Sequence, residues 1–206
     1  MKREFPPVYL ALILVAGCVL FRLLNNAYPD YVPNVSPLMA LAFVGAMYLP
    51  SKWGWLVGPV TLLLTDLAFI KINALTDGSG SMFSWWTAVS FGLYAAVGGF
   101  GVWIARKKSL LKILTGSLIC SLAFYVVSNT FSWYHDVVIG MTPGYPATWA
   151  GWWQAMTIGL PDLPPTWVFL RNGALGDLFF VIVLLFALDR GLLFGHEPSR
   201  TAPRPA

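Results

Sequence analysis

Long apolar runs separated by short polar or basic breaks dominate the chain. A bilayer core about 30 Å thick takes roughly 20 mostly apolar helical residues per crossing. Residues 8–24 form such a run, bounded by Lys2, Arg3 and Glu4 before it and by Asn25, Asn26 and Asp30 after it. Residues 36–49 are a shorter run, long enough only for a thin crossing, with Pro37 at a helix-start position where its missing N–H does no harm. Residues 53–70 follow the Pro50-Ser51-Lys52 turn, so these two runs make a hairpin. Runs over 83–104 and 110–131 form a second hairpin around Arg106, Lys107 and Lys108, and 168–188 is the last. The pattern predicts an all-α polytopic bundle of six transmembrane helices in one domain, residues 1–190. Residues 191–206, with Pro198, Pro203 and Pro205, are expected to form a disordered cytoplasmic tail.

Residues 132–165 are too long for an ordinary connection. They hold Trp133, Trp149, Trp152 and Trp153, and 147–160 is apolar with Gly151 and Gly159 inside it. An extra short helix is expected there, either lying at the interface, the depth that Trp and Tyr favour, or dipping in as a re-entrant lid.

The basic residues test the span count independently, because Lys and Arg in short loops favour the cytoplasmic side. With both termini inside, Lys2, Arg3, Lys52, Arg106, Lys107, Lys108, Lys112, Arg190, Arg200 and Arg204 face the cytoplasm, while Arg22, Lys71 and Arg171 lie toward the outside. Composition agrees: the chain is 57% apolar and 11% charged, where a soluble domain carries about 25% charged residues. The net charge of +4 is accounted for by orientation, and no basic face interleaved with stacking aromatics suggests nucleic-acid binding.

Cys18 and Cys120 both fall inside apolar runs, so neither a disulfide nor a metal cluster is expected. The stretch Leu14-Val15-Ala16-Gly17-Cys18 resembles a lipoprotein signal, but Val19, Leu20 and Phe21 continue the same apolar helix. An uncleaved first helix is the expectation.

Ionisable groups inside a membrane are costly and normally mark a site or pathway. Asp66 lies about 6 Å below the outer end of the third run and Asp177 about 13 Å into the sixth, at 1.5 Å rise per residue. Asn129, Arg171, Asn172, Asn34 and Ser36 fall in the same outer half, and Trp133 and Trp149 stand above it. These nine residues are the candidate substrate-binding set, lining a polar cavity open to the outside. The alternative is internal pairing, Asp66 with Arg171 or with the turn over 33–37, and Asp177 with Asn129. Ala42 and Ala46 share one helix face, and Gly98, Gly99 and Gly101 relieve the fourth run; such spacing suits close bundle packing.

Catalytic signatures are missing: there are two histidines, no zinc-protease or nucleophile-elbow motif and no phosphate loop. No enzyme activity, cofactor or resident metal is expected. A short echo links Thr65-Asp66-Leu67 with Gly176-Asp177-Leu178 in runs of opposite direction, the relation an inverted repeat would require.

Several ordered motifs carry a family resemblance: Pro33-Asn34-Val35-Ser36-Pro37-Leu38-Met39-Ala40-Leu41-Ala42, Thr65-Asp66-Leu67, Ser128-Asn129, Tyr145-Pro146-Ala147-Thr148 with Gly151, and Asn172-Gly173-Ala174-Leu175-Gly176-Asp177-Leu178. Over residues 8–190 the chain resembles an uncharacterised bacterial six-span membrane family classed as a domain of unknown function. That family is similar in outline to the substrate-binding S components of energy-coupling factor transporters. The resemblance implies a small solute, a transmembrane coupling subunit and ATPases, and a multi-pass location in the bacterial inner membrane. S components usually dock through an Ala-x-x-x-Ala motif on the first helix, whereas here Ala42 and Ala46 lie on the second. Two readings follow: a transporter component binding a small polar or cationic solute, or a non-enzymatic accessory or scaffolding subunit of a larger membrane complex.

Overall fold

The structure is a computed structural model that describes residues 7–27, 35–49, 53–76, 85–140, 144–161, 163–189 and 192. The described residues are all helical or connecting chain. The helices are α1 (Pro7–Ala27), α2 (Leu38–Tyr48), α3 (Val57–Thr76), α4 (Trp85–Ile104), α5 (Leu110–Ile139), α6 (Trp149–Met156) and α7 (Thr166–Leu188). Four stretches are long and apolar enough to cross a membrane: Gly54–Lys71, Trp86–Lys107, Leu110–Ile139 and Thr166–Leu188. Shorter apolar helical stretches cover Leu12–Asn25 and Leu38–Tyr48. Large apolar side chains such as Leu12, Leu111, Ile119, Leu175 and Phe179 are exposed around the bundle. Four long apolar helices with such a surface are compatible with a multi-pass membrane protein.

The shortest of the apolar segments is the best buried. Every residue from Pro37 to Ala46 is buried, and α2 is packed against α1, α3, α4, α5 and α7. A helix apolar on all sides belongs in a core, and at 1.5 Å per residue α2 is about 16 Å long. Its centre, Leu41–Gly45, is a π-helical turn. Small residues let neighbours approach it closely. A Cβ on Gly58 would meet Ala42, and one on Gly101 would strike the carbonyl of Phe43. The Ala42 and Ala46 face is therefore bundle packing.

α5 runs further than its apolar pattern predicts. Ser132 to Ile139 continue the helix, which stops at Gly140 in the left-handed conformation (φ 67°), its N–H bonded to the Asp136 carbonyl. Much of the expected connection is thus helix. α6 follows, with the Thr148 hydroxyl accepting from Gly151 N–H at its start. It lies against α5: Trp152 Nε1 donates to Thr130 Oγ1 at 3.0 Å, and the Tyr125 hydroxyl donates to the Met156 carbonyl.

At the other end of the bundle, Asp189 just after α7 gathers three donors. The Tyr48 hydroxyl and Lys108 Nζ donate to Oδ2 at 2.9 and 3.2 Å, and Leu192 N–H donates to Oδ1 at 3.1 Å. This joins the end of α2 and the α4–α5 turn to the end of α7. Of residues 191–206, where the tail is expected, Leu192 is described and held to Asp189, and the others lie outside the described residues.

Candidate functional site

Asp177 is the twelfth of the 23 residues of α7, at the middle of the helix, and its side chain is turned inward against α5. It is 6% exposed, and Ser121 Oγ donates to its Oδ2 at 2.6 Å. The Ser117 carbonyl one turn earlier lies 3.0 Å from the same hydroxyl and shares its single proton. The buried Ser117 Oγ has no hydrogen-bond partner among the described residues, so polar demand at this level extends beyond the Ser121–Asp177 pair.

Above the carboxylate lies a cavity of about 340 Å³ between α4, α5, α7 and the start of α2. Asp177 and Ser121 lie at its deep end, with Ser128, Asn129 and Ser132 further along α5 and Ser36 on the α2 side. Trp86, Tyr94, Phe124, Tyr125 and Phe169 supply aromatic wall. Two wall pairs are in ring contact or extend it: Tyr94 with Phe124 at 5.3 Å, and Trp86 with Phe131 at 5.6 Å. Among the described residues the lining contains one carboxylate and no Lys, Arg or His. Such a chamber offers acceptors, negative charge and π faces, which suit a polar or positively charged guest.

The nine residues expected from sequence divide. The structure brings Asp177, Asn129 and Ser36 to this one cavity. Asn129 Nδ2 donates to the Tyr125 carbonyl at 2.9 Å, and Ser36 Oγ accepts from Leu38 N–H at 3.2 Å. Asp66 is elsewhere. Its Oδ1 stands 3.9 Å from Arg22 NH2 of α1, while Arg22 NH1 donates to the Thr65 hydroxyl and the guanidinium lies 5.7 Å from the Phe69 ring. Arg171 Nε donates to Asn172 Oδ1 at 3.1 Å and its guanidinium lies 5.4 Å from the Trp167 ring; neither Arg171 nor Asn172 lines the cavity. Trp133 Nε1 donates to the Pro146 carbonyl at 2.9 Å, and Trp149 stacks on Trp152 at 4.5 Å, both away from the lining. Asn34 lies outside the described residues.

The internal pairings differ from those expected. Asp66 takes Arg22 because α1 packs along α3. Asp177 takes Ser121 rather than Asn129, which is eight residues, about 12 Å, further along α5. Sequence reasoning missed Ser121, Trp86 and Tyr94 at the cavity and Arg22 at Asp66. Ser117 and Ser121, spaced i, i+4 in an otherwise apolar run, were the available signal.

No group of three or more His, Cys, Asp or Glu side chains among the described residues is placed to hold a metal ion. A family model described as a family of unknown function, DUF6580, matches residues 2–191. The chain belongs to DUF6580. This agrees with the expected membership of an uncharacterised domain family. Neither the curated proteins nor the solved structures yield a match to this DUF6580 chain.

Proposed function

We propose that this DUF6580 protein is a membrane-embedded, non-enzymatic solute-binding component of a transporter, resembling an S component. It holds a small polar or cationic solute in the cavity above Asp177. The observation that carries this reading is a carboxylate with no basic residue beside it among the described residues that line an aromatic chamber of about 340 Å³. That volume lies within the range of small-molecule sites. The solute's charge or hydrogen-bond donors meet Asp177, Asn129 and the serine hydroxyls, and its apolar part meets Trp86, Tyr94 and Phe124. Arg22 and Asp66 hold α1 to α3 and take no part in binding.

In this reading the chain crosses the bacterial inner membrane six times with both termini cytoplasmic. α1 and α2 join the four long helices. Val35, Ser36 and Leu49, the non-helical residues described beside α2, extend its reach, since extended chain covers about 3.3 Å per residue. The distribution of basic residues then puts the cavity on the outer side. A coupling subunit and ATPases supply the energy, consistent with a chain that has no phosphate loop of its own.

The test is a thermal-shift panel of small organic ammonium compounds and neutral polar solutes on the detergent-purified protein. At least one compound is expected to stabilise the wild type and to lose its effect in Asp177→Asn. A panel without response, or one whose response survives that substitution, defeats the reading. A scaffolding role draws on a different observation, the exposed Trp149 and Trp153 on α6. It requires a stoichiometric membrane partner on native purification and no solute response.

A further inference from the structure

A second recess, of about 450 Å³, lies where α4 turns into α5. Arg106 and Lys107 in the turn and Lys112 in the first turn of α5 stand at one end of it, and Phe100, Trp103 and Ile119 line it further along the two helices. Phe100 is six residues before Arg106 and Ile119 seven after Lys112, so the apolar lining extends to roughly 10 Å along the helix axes from the cations, with Trp103 about halfway. Trp103 stacks on Phe100 at 5.6 Å and is 60% exposed. The recess is therefore graded from three positive charges at one end to exposed apolar side chains at the other.

Among the described residues these three charges form no ion pair. Lys108, the fourth cation of this turn, is paired with Asp189 at 3.2 Å and lies 3.9 Å from the centre of the Tyr48 ring. Among the described residues no carboxylate pairs with Arg106, Lys107 or Lys112; Lys112 Nζ donates to the Lys107 carbonyl at 3.2 Å, which leaves its charge uncompensated. Cations gathered between apolar helices at the membrane surface select anionic headgroups. A free anion would use only the charged end, and an acidic soluble peptide would have no use for an apolar wall at hydrocarbon depth. An anion joined covalently to an acyl chain uses both.

We propose that Arg106, Lys107 and Lys112 hold the phosphate of an anionic phospholipid whose acyl chain lies along Phe100, Trp103 and Ile119. Arginine supplies a planar fork matched to phosphate oxygens, and the two lysines add point charges. The assignment rests on the chain crossing a membrane and is independent of any solute in the Asp177 cavity.

Native mass spectrometry of the detergent-purified chain tests it, with phosphatidylglycerol and phosphatidylcholine of equal chain length added separately. Phosphatidylglycerol is expected to bind preferentially. Each charge removed among Arg106→Gln, Lys107→Gln and Lys112→Gln weakens that binding about fivefold, so the single variants give graded losses even if the triple variant folds poorly. Lys108→Gln keeps the preference, and Trp103→Ala weakens both lipids. Equal binding of the two lipids by the wild type overturns the proposal, as does unchanged preference in the three charge variants. Full competition by millimolar inorganic phosphate also overturns it, since it assigns the recess to a free anion.

Discussion

Ser121 and Asp177 join α5 to α7 through a single buried hydrogen bond of 2.6 Å, and that bond sits at the deep end of the aromatic cavity. The pair separates structure from binding. Asparagine at 177 keeps an oxygen that can accept from Ser121 but removes the negative charge. Asp177→Asn is expected to unfold within about 1 kcal/mol of the wild type, yet to lose stabilisation by ammonium solutes. Ser121→Ala removes the donor and leaves the carboxylate without this bond, at a cost of about 1–3 kcal/mol. Thermal unfolding of both variants with and without solute checks the split. Equal destabilisation by the two would make Asp177 a packing residue.

Arg22 and Asp66 form a different kind of pair. Their side chains are 20% and 30% exposed and the closest approach is 3.9 Å, so solvent and geometry weaken the attraction. Arg22 also donates to Thr65 and lies against Phe69. Arg22→Ala is therefore expected to cost more than Asp66→Ala. A double-mutant cycle should give a coupling of about 0.5–1 kcal/mol. Strict additivity would show that the two charges do not hold α1 to α3.

Apolar run length made the long helices legible, because a lipid-facing helix is written as continuous hydrophobicity. The run over 168–188 and α7 (Thr166–Leu188) differ by two residues at one end. Where polar residues continue a helix beyond the apolar zone, that signal ends too early. Ser132 to Asp136 read as connection, whereas α5 continues to Gly140, whose left-handed conformation marks the actual stop. α3 likewise runs ten residues beyond Asp66 to Thr76, so Asp66 lies deeper in its helix than the apolar run implied. Asp177 was visible as a carboxylate within an apolar run. Its partner was not, because helices that are apolar nearly all round carry little information about their rotation, and rotation decides whether Ser121 or Asn129 reaches α7.

The close approach of α4 to α2 makes a backbone prediction. A Cβ on Gly101 would collide with the Phe43 carbonyl, a backbone atom in the buried π turn, whereas one on Gly99 would meet nothing within 4 Å. Gly101→Ala is expected to destabilise by about 1–3 kcal/mol through forced separation of the helices. Gly99→Ala is expected to be neutral or to stabilise by up to about 1 kcal/mol, since alanine favours helix. Paired unfolding measurements in one detergent check both, and matching effects would mean that α2 does not seat against α4 in this way.

Asp189 gives the bundle an acid-sensitive joint. Burial pushes its carboxyl up, but the hydrogen bonds from Tyr48, Leu192 N–H and Lys108, together with the Lys108 charge, outweigh burial and hold it below the usual carboxylate range. A carboxyl with a depressed value in the folded protein binds its proton less readily than in the unfolded chain, whose value is about 3.9. Its contribution to stability is thus present in full above about pH 4 and is lost as pH falls through the lower folded value. Asp189→Asn removes the charge at every pH. The wild type is therefore expected to be more stable than Asp189→Asn at pH 6, with the gap closing below pH 4, because other carboxylates titrate alike in the two proteins and cancel in the difference. Melting temperatures of both between pH 6 and pH 3 measure it. A gap that stays constant across that range would mean that the Asp189 charge does not hold the ends of α2 and α7 to the α4–α5 turn.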